Sequence, residues 1–157
     1  MRSTLELQTL LSFVNDDTKK QRTSLVMCHH SNLGRETELA ARMQLTPVDY
    51  VSWKLTRLPS GARFAQIDQT ALLNDVRSIG MVRYQHNSVL LYNIDIALAH
   101  PRVSATLLWR DAMSYLWNLK SGIVLLLHDP ATGLAPSADL LKELHEQNRF
   151  NRLGPDS

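Results

Sequence analysis

The sequence predicts an α/β fold in which a mainly parallel sheet carries helices on both faces. Three observations predict it. Short apolar runs at residues 23–28, 88–94 and 122–127 alternate with segments whose apolar residues recur at helical spacing. The best runs are continuously apolar, as in parallel strands buried on both sides. The length of 157 residues, with 44% hydrophobic and 20% charged residues, suits one ordinary domain with its own core.

Each element has a local reason. Leu5, Leu7, Leu10, Leu11 and Val14 make a helical stripe over residues 4–15, which Asn15-Asp16-Asp17 ends. Residues 23–28 form a buried strand and residues 29–34 a loop; Leu39, Ala40 and Met43 then make residues 35–43 helical. A second short strand at 47–51 leads into a helical turn through Trp53, Leu55 and Leu58, broken at Pro59-Ser60-Gly61. Residues 64–67 make a brief extended piece. Asp68 caps a helix bearing Ala71, Leu72, Leu73 and Val76. After the strand at 88–94, His100-Pro101 opens a longer helix with Val103, Leu107, Leu108, Met113, Leu116, Trp117 and Leu119 on or near its buried side. Packing in the core is the expected role of the helical aromatics Trp109, Tyr115 and Trp117, with a partner surface as the alternative. The strand at 122–127 is the most apolar and stops at Asp129-Pro130. Ser137 caps a last helix with Leu140, Leu141 and Leu144, so a helical C-terminal extension is expected at about 137–150, followed by a disordered tail. No internal repeat or linker divides the chain, and residues 1–157 read as one domain.

Composition excludes several classes. A single cysteine, Cys28, rules out an internal disulfide and a multi-cysteine zinc site, and its apolar neighbours make it a small buried hydrophobe. No signal-type apolar region follows Met1, and no apolar run reaches the roughly 18 residues of a membrane span, so a cytoplasmic protein without a membrane partner is expected. The formal charge is +2, from scattered arginines. The one basic cluster, Lys19-Lys20-Gln21-Arg22, reads as a solvated turn, because no aromatic residue interleaves it as nucleic-acid binding would favour.

In an α/β sheet, ligands sit beyond the carboxyl ends of the strands, so the loop after the first strand is the first place to look. A phosphate-binding loop there reads G-x-x-x-x-G-K-[ST]. Counting from Gly34, the first glycine position holds His29, the lysine position Arg35 and the hydroxyl position Glu36; Asn32 lies within the loop. Only the second glycine remains. The expected fold is therefore a three-layer P-loop NTPase-like (RecA/AAA+-like) domain with no separate lid.

The stretches 51–59, 72–75 and 89–95, taken with this loop, resemble the small P-loop protein of bacterial BREX phage-defence systems, the BrxF family, over roughly residues 24–130. That family pairs its P-loop with an apolar strand ending in an acidic residue, an asparagine, an apolar residue and a second acidic residue. Asn93, Ile94 and Asp95 match, whereas Tyr92 stands at the first acidic position. The resemblance implies a place in a multi-subunit antiphage complex, with a protein partner, indirect DNA association and homo-oligomerisation within its range.

The departures bear on chemistry. Glu36 puts a carboxylate where a triphosphate would lie; at about 4 Å and an effective dielectric of about 20, each like-charged pair costs about 4 kcal/mol before screening. Tyr92 cannot hold magnesium as a carboxylate does. His29 adds bulk where glycine lets a loop close, and the Arg35 guanidinium differs in shape from an ammonium. Phosphoryl transfer depends on positioning and neutralisation, so hydrolysis is expected to be lost. The expectation is a pseudo-NTPase without cofactor or catalytic residue, acting as an interaction or regulatory subunit. Two alternatives are an ATP- and magnesium-binding subunit completed by a partner protomer, and a weak DNA-binding module. His29, His30, Asp95 and His128 all fall near strand ends on one predicted edge; ordinary loop or hydrogen-bonding roles are expected rather than a metal site or an acid–base pair. Ser24 and Ser31 lack the G-x-S-x-G setting of a hydrolase nucleophile.

Overall fold

A computed structural model describes residues 2–58 and 67–155, without the side chains of residues 2–4 and 130–132. The chain runs α1 (Arg2–Asn15), β1 (Thr23–Cys28), α2 (Glu36–Met43), β2 (Thr46–Asp49), α3 (Tyr50–Thr56), α4 (Gln69–Gly80), β3 (Ser88–Tyr92), α5 (Asp95–Leu98), α6 (Ala105–Ser114), β4 (Gly122–His128), α7 (Ala138–Glu146) and β5 (Phe150–Leu153). Short 3-10 segments follow β1 at His30–Asn32 and β4 at Asp129–Leu134.

The five strands pair in the order β2-β3-β4-β1-β5, and every pair is parallel. Side chains alternate across the sheet. Leu25, Met27, Val89, Leu91, Ile123, Leu125 and Leu127 meet α4, α6 and α7 on one face, whereas Val26, Cys28, Leu90, Val124 and Leu126 meet α1 and α2 on the other. The result is a three-layer, Rossmann-like α/β domain. β1 and β4 are buried at every residue, which is why both read as unbroken apolar runs.

Caps fix several boundaries. Asp68 Oδ1 accepts from Ala71 N at 2.8 Å, and Ser137 Oγ accepts from Leu140 N at 3.2 Å, as the sequence predicts. Other boundaries move. The second strand ends at Asp49, whose carboxylate accepts from Val51 N and so starts α3 at Tyr50. The third strand stops at Tyr92, because Asn93 turns left-handed at φ 62°. The helix expected from His100-Pro101 begins at Ala105 instead, with the Ser104 side chain capping Leu107 N. It ends at Ser114, so Trp117 and Leu119 lie beyond it. Trp109 is fully buried and donates to Leu134 O at 2.6 Å, but Tyr115 and Trp117, also expected in the core, are 60% and 55% exposed because the helix stops before them. The C-terminal segment is more than a helical extension: α7 ends at Glu146 and returns the chain to the sheet as β5, a strand the sequence reading does not anticipate. The break at 59–61, residues 64–66 of the extended piece and the last two residues lie outside the described residues.

The amino end of the sheet is held by two buried arginines. Arg22, read as part of a solvated cluster, is only 3% exposed; it donates to the carbonyls of Val14 at 2.9 Å, Asn87 at 3.2 Å and Leu119 at 3.4 Å. Arg149 donates to Thr23 O and Thr23 Oγ1, both at 2.9 Å, and to Met113 O at 2.8 Å. Burial pulls the Arg149 guanidinium down to about 10, which still leaves it charged at neutral pH. Gly122 lets this end close, since a Cβ there would press on the Val14 carbonyl and the Ser88 hydroxyl.

Replacing Arg149 with Ala leaves the Thr23 and Met113 carbonyls buried without these donors. We expect a loss of about 3 kcal/mol or more in urea unfolding, larger than for any single exposed arginine such as Arg102.

Candidate functional site at the carboxyl ends of β1 and β4

The connection leaving β1 crosses one face through α2, and the connection leaving β4 crosses the other through α7. Neighbouring strands whose connections part in this way leave a crevice between their carboxyl ends, where such folds bind ligands. In this chain the crevice is filled from within. Cys28 ends β1, His128 ends β4, and the two are partners in register. His128 Nδ1 lies 3.1 Å from Cys28 Sγ, and its Nε2 lies 3.2 Å from Glu36 Oε1 on the first turn of α2. The same Glu36 oxygen accepts from Gly34 N at 3.2 Å. Cys28, His128 and Glu36 are 0%, 5% and 7% exposed.

The proton positions follow from the partners. As a carboxylate, Glu36 only accepts, so Nε2 carries the imidazole hydrogen. In the neutral imidazole Nδ1 then presents its lone pair, and the Cys28 S–H donates to it. Burial pushes the thiol up to about 12, and the negative charges of Asp129 and Glu36 add to the rise. The order thiol, imidazole, carboxylate matches that of a nucleophile, its base and an orienting group. Its chemistry differs: a buried, protonated thiol is a hydrogen-bond donor and not a nucleophile.

The loop between β1 and α2 is a fixed turn. His29 Nδ1 accepts from Ser31 N at 3.2 Å and lies 2.9 Å from Ser31 Oγ, capping the 3-10 segment. The last described residues hold the loop from outside: His29 N donates to Leu153 O at 3.1 Å, Ser31 Oγ to Pro155 O at 3.3 Å, and Asn32 Nδ2 to Gly154 O at 3.5 Å. Gly34 has φ 82°, the left-handed value that brings the chain into α2. No atom lies within 4 Å of a Cβ built there, so glycine is needed for its backbone angle alone.

The structure therefore sorts the residues named from sequence. Gly34 and Glu36 meet in one buried contact. Arg35 turns outward, 45% exposed, and pairs with Glu38 at 3.1 Å. Tyr92 ends β3 beside Asp49, and burial first, then the charges of Asp49 and Glu36, raise its phenol. Asn93 serves the backbone as the left-handed turn after β3, and Asp95 sits in the first turn of α5, with no hydrogen bond to Glu36 or His128. His29 and His30 lie with ring centroids 4.0 Å apart, tilted, and not in the Cys28–His128–Glu36 line. Among the described residues no three histidine, cysteine or carboxylate side chains converge as a metal site needs. Sequence reasoning did not join Cys28 to His128; the available signal was that each ends an apolar run.

The chain matches no family model, no curated protein and no solved structure. No helix among the described residues is long and apolar enough to cross a membrane.

Two outcomes are expected of this site. Glu36→Ala strands the Gly34 amide and the His128 N–H and should cost about 1–3 kcal/mol in urea unfolding, with Glu36→Gln, which keeps an acceptor oxygen, costing less. The second concerns alkali. The folded state holds the Cys28 proton up to about 12, whereas an ordinary thiol releases it near 9.0. Between these values the native state binds more protons than the unfolded chain, so this contribution to stability is complete below pH 9 and declines as pH rises toward 12. The stability difference between wild type and Cys28→Ala should shrink across that window; a constant difference would remove the buried thiol from the account.

Proposed function

We propose that the chain is a non-catalytic, P-loop-like interaction or regulatory subunit of a bacterial antiphage defence complex, working in the cytoplasm without nucleotide or metal. One observation carries the first half of this reading: Glu36 Oε1 accepts the Gly34 amide at 3.2 Å and the His128 Nε2 hydrogen at 3.2 Å, so a carboxylate of the chain takes donors that a bound phosphate would use. The strand order supports the P-loop-like plan, since β4 stands between the strand that precedes the loop and the strand that ends at Tyr92, as in the RecA/AAA+-like arrangement that the sequence resembles. A triphosphate entering here would meet Glu36 while Arg35 is engaged with Glu38 at the surface. Tyr92, in place of a carboxylate, offers magnesium no charge. The defence setting rests on the resemblance to the BrxF family over residues 24–130, and a larger protein of such a complex is the partner it implies.

Calorimetric titration of the purified chain with magnesium-ATP tests the reading directly. No saturable heat is expected, and the chain should co-purify with its larger partner in nucleotide-free buffer. Tight magnesium-ATP binding that disappears in Gly34→Ala or Arg35→Ala would overturn it.

A further inference from the structure

We infer that the amino end of the sheet, opposite the closed loop, is a binding surface for single-stranded nucleic acid. The segments entering β1, β3 and β4 meet at this end, and they bring together residues far apart in sequence. Lys19 and Lys20 precede β1, Arg83 precedes β3 and Lys120 precedes β4; all four are exposed and line one shallow depression. Among the described residues none of the four takes part in an ion pair. Asp17 lines the same depression and Asp16, whose carboxylate accepts from Thr18 N at 3.0 Å and Thr18 Oγ1 at 2.6 Å, stands beside Lys19, but Lys19, Lys20, Arg22, Arg83 and Lys120 outnumber these two carboxylates and the balance there is positive.

The aromatic partner that the cluster lacks in sequence is supplied in space. Trp117 lines the adjoining depression together with Lys19 and Lys20. Its backbone bridges to Gln21, and Asn118 N donates to Lys20 O at 3.0 Å, which fixes the indole beside the two lysines. The indole Nε1 donates to Ser114 O at 2.8 Å, so one edge of the ring is held while the side chain stays 55% exposed. Tyr115, two residues earlier, is 60% exposed. Neither ring belongs to the hydrophobic core.

Cations that track a phosphate backbone, set beside aromatic faces on which bases stack, are the means by which proteins hold single strands without reading sequence. A duplex hides its base faces and would use the lysines alone. An acidic protein would need the charges but not a ring held by one edge. Single-stranded nucleic acid uses both features.

The test uses the intact chain and a fluorescently labelled oligothymidine, read by anisotropy at two salt concentrations. Binding should weaken steeply with added salt. Trp117→Ala should weaken it about tenfold, the size of one lost base stack, and Trp117→Phe should restore most of it. Lys19→Glu with Lys20→Glu should weaken it further, while Arg102→Glu, at the other end of the sheet, should leave it within about twofold of wild type once the change in net charge is counted. Circular dichroism of each variant shows that the fold is kept. Absence of binding, equal loss in the Arg102 and lysine variants, binding indifferent to Trp117, or competition by polyglutamate as effective as that by the oligonucleotide would each overturn the inference, the last in favour of an acidic protein partner.

Discussion

Two strands of this sheet are buried from end to end, and that burial leaves polar groups at both of their ends with no water to meet them. β1 and β4 contribute buried residues throughout, so the backbone where each begins and ends must find partners inside the protein. At the amino end the partners are guanidinium groups. Arg22 gathers three carbonyls from the segments entering the sheet, and Arg149 ties the start of β1 to the end of α6. A planar group with five donors suits a cluster of converging carbonyls, and lysine would not match it. At the carboxyl end the backbone leaving β1 is met by β5, where His29 N donates to Leu153 O at 3.1 Å, and the buried side chains of Cys28, His128 and Glu36 satisfy one another.

The second solution has a consequence for the loop. A helix N-terminus offers unpaired amides and a partial positive charge, which is why α/β folds bind phosphates there. Glu36 sits in the first turn of α2 and supplies negative charge from within. It does so without a mobile counter-ion and without opening the crevice, because His128 and Cys28 complete the arrangement. Residues 153–155 hold the other side of the turn. A loop stabilised in this way gains little from a phosphate: binding one would first require displacing a buried carboxylate from two hydrogen bonds.

The parts legible in the sequence are those with local causes. The caps at Asp68 and Ser137 act within a few residues, and the apolar runs of β1, β3 and β4 report their own burial. β5 was hidden because an edge strand of four residues, Phe-Asn-Arg-Leu, has too few apolar positions to announce itself; its pairing with β1 and the Arg149 clamp place it. Pro101 looked like a helix start, but Ser104 provides the cap that the backbone uses. Glu36 was recognised as incompatible with phosphate, yet its partner lies 92 residues away and its role could not be read locally. Trp117 was misplaced for a related reason: helical periodicity carried past Ser114 into a segment that turns at Asn118, φ 57°.

The two ends of the sheet thus divide the work unequally. In most α/β folds the carboxyl end is the working end, because every strand delivers a loop there and the helix N-termini face it. Here Cys28, His128, Glu36 and the Gly34 amide are engaged with one another in holding β1, β4 and α2 together, although Asn32 Oδ1 in the same loop is buried without a partner. The amino end is held by two buried groups, Arg22 and Arg149, beneath an exposed rim. Lys19, Lys20 and Trp117 stand exposed on that surface, and none of them belongs to the hydrophobic core. An exposed aromatic ring costs a small domain solubility when it serves nothing, whereas the buried arginines beneath it would hold the sheet equally well under a wholly polar rim. That asymmetry makes the amino end the more informative surface of this protein.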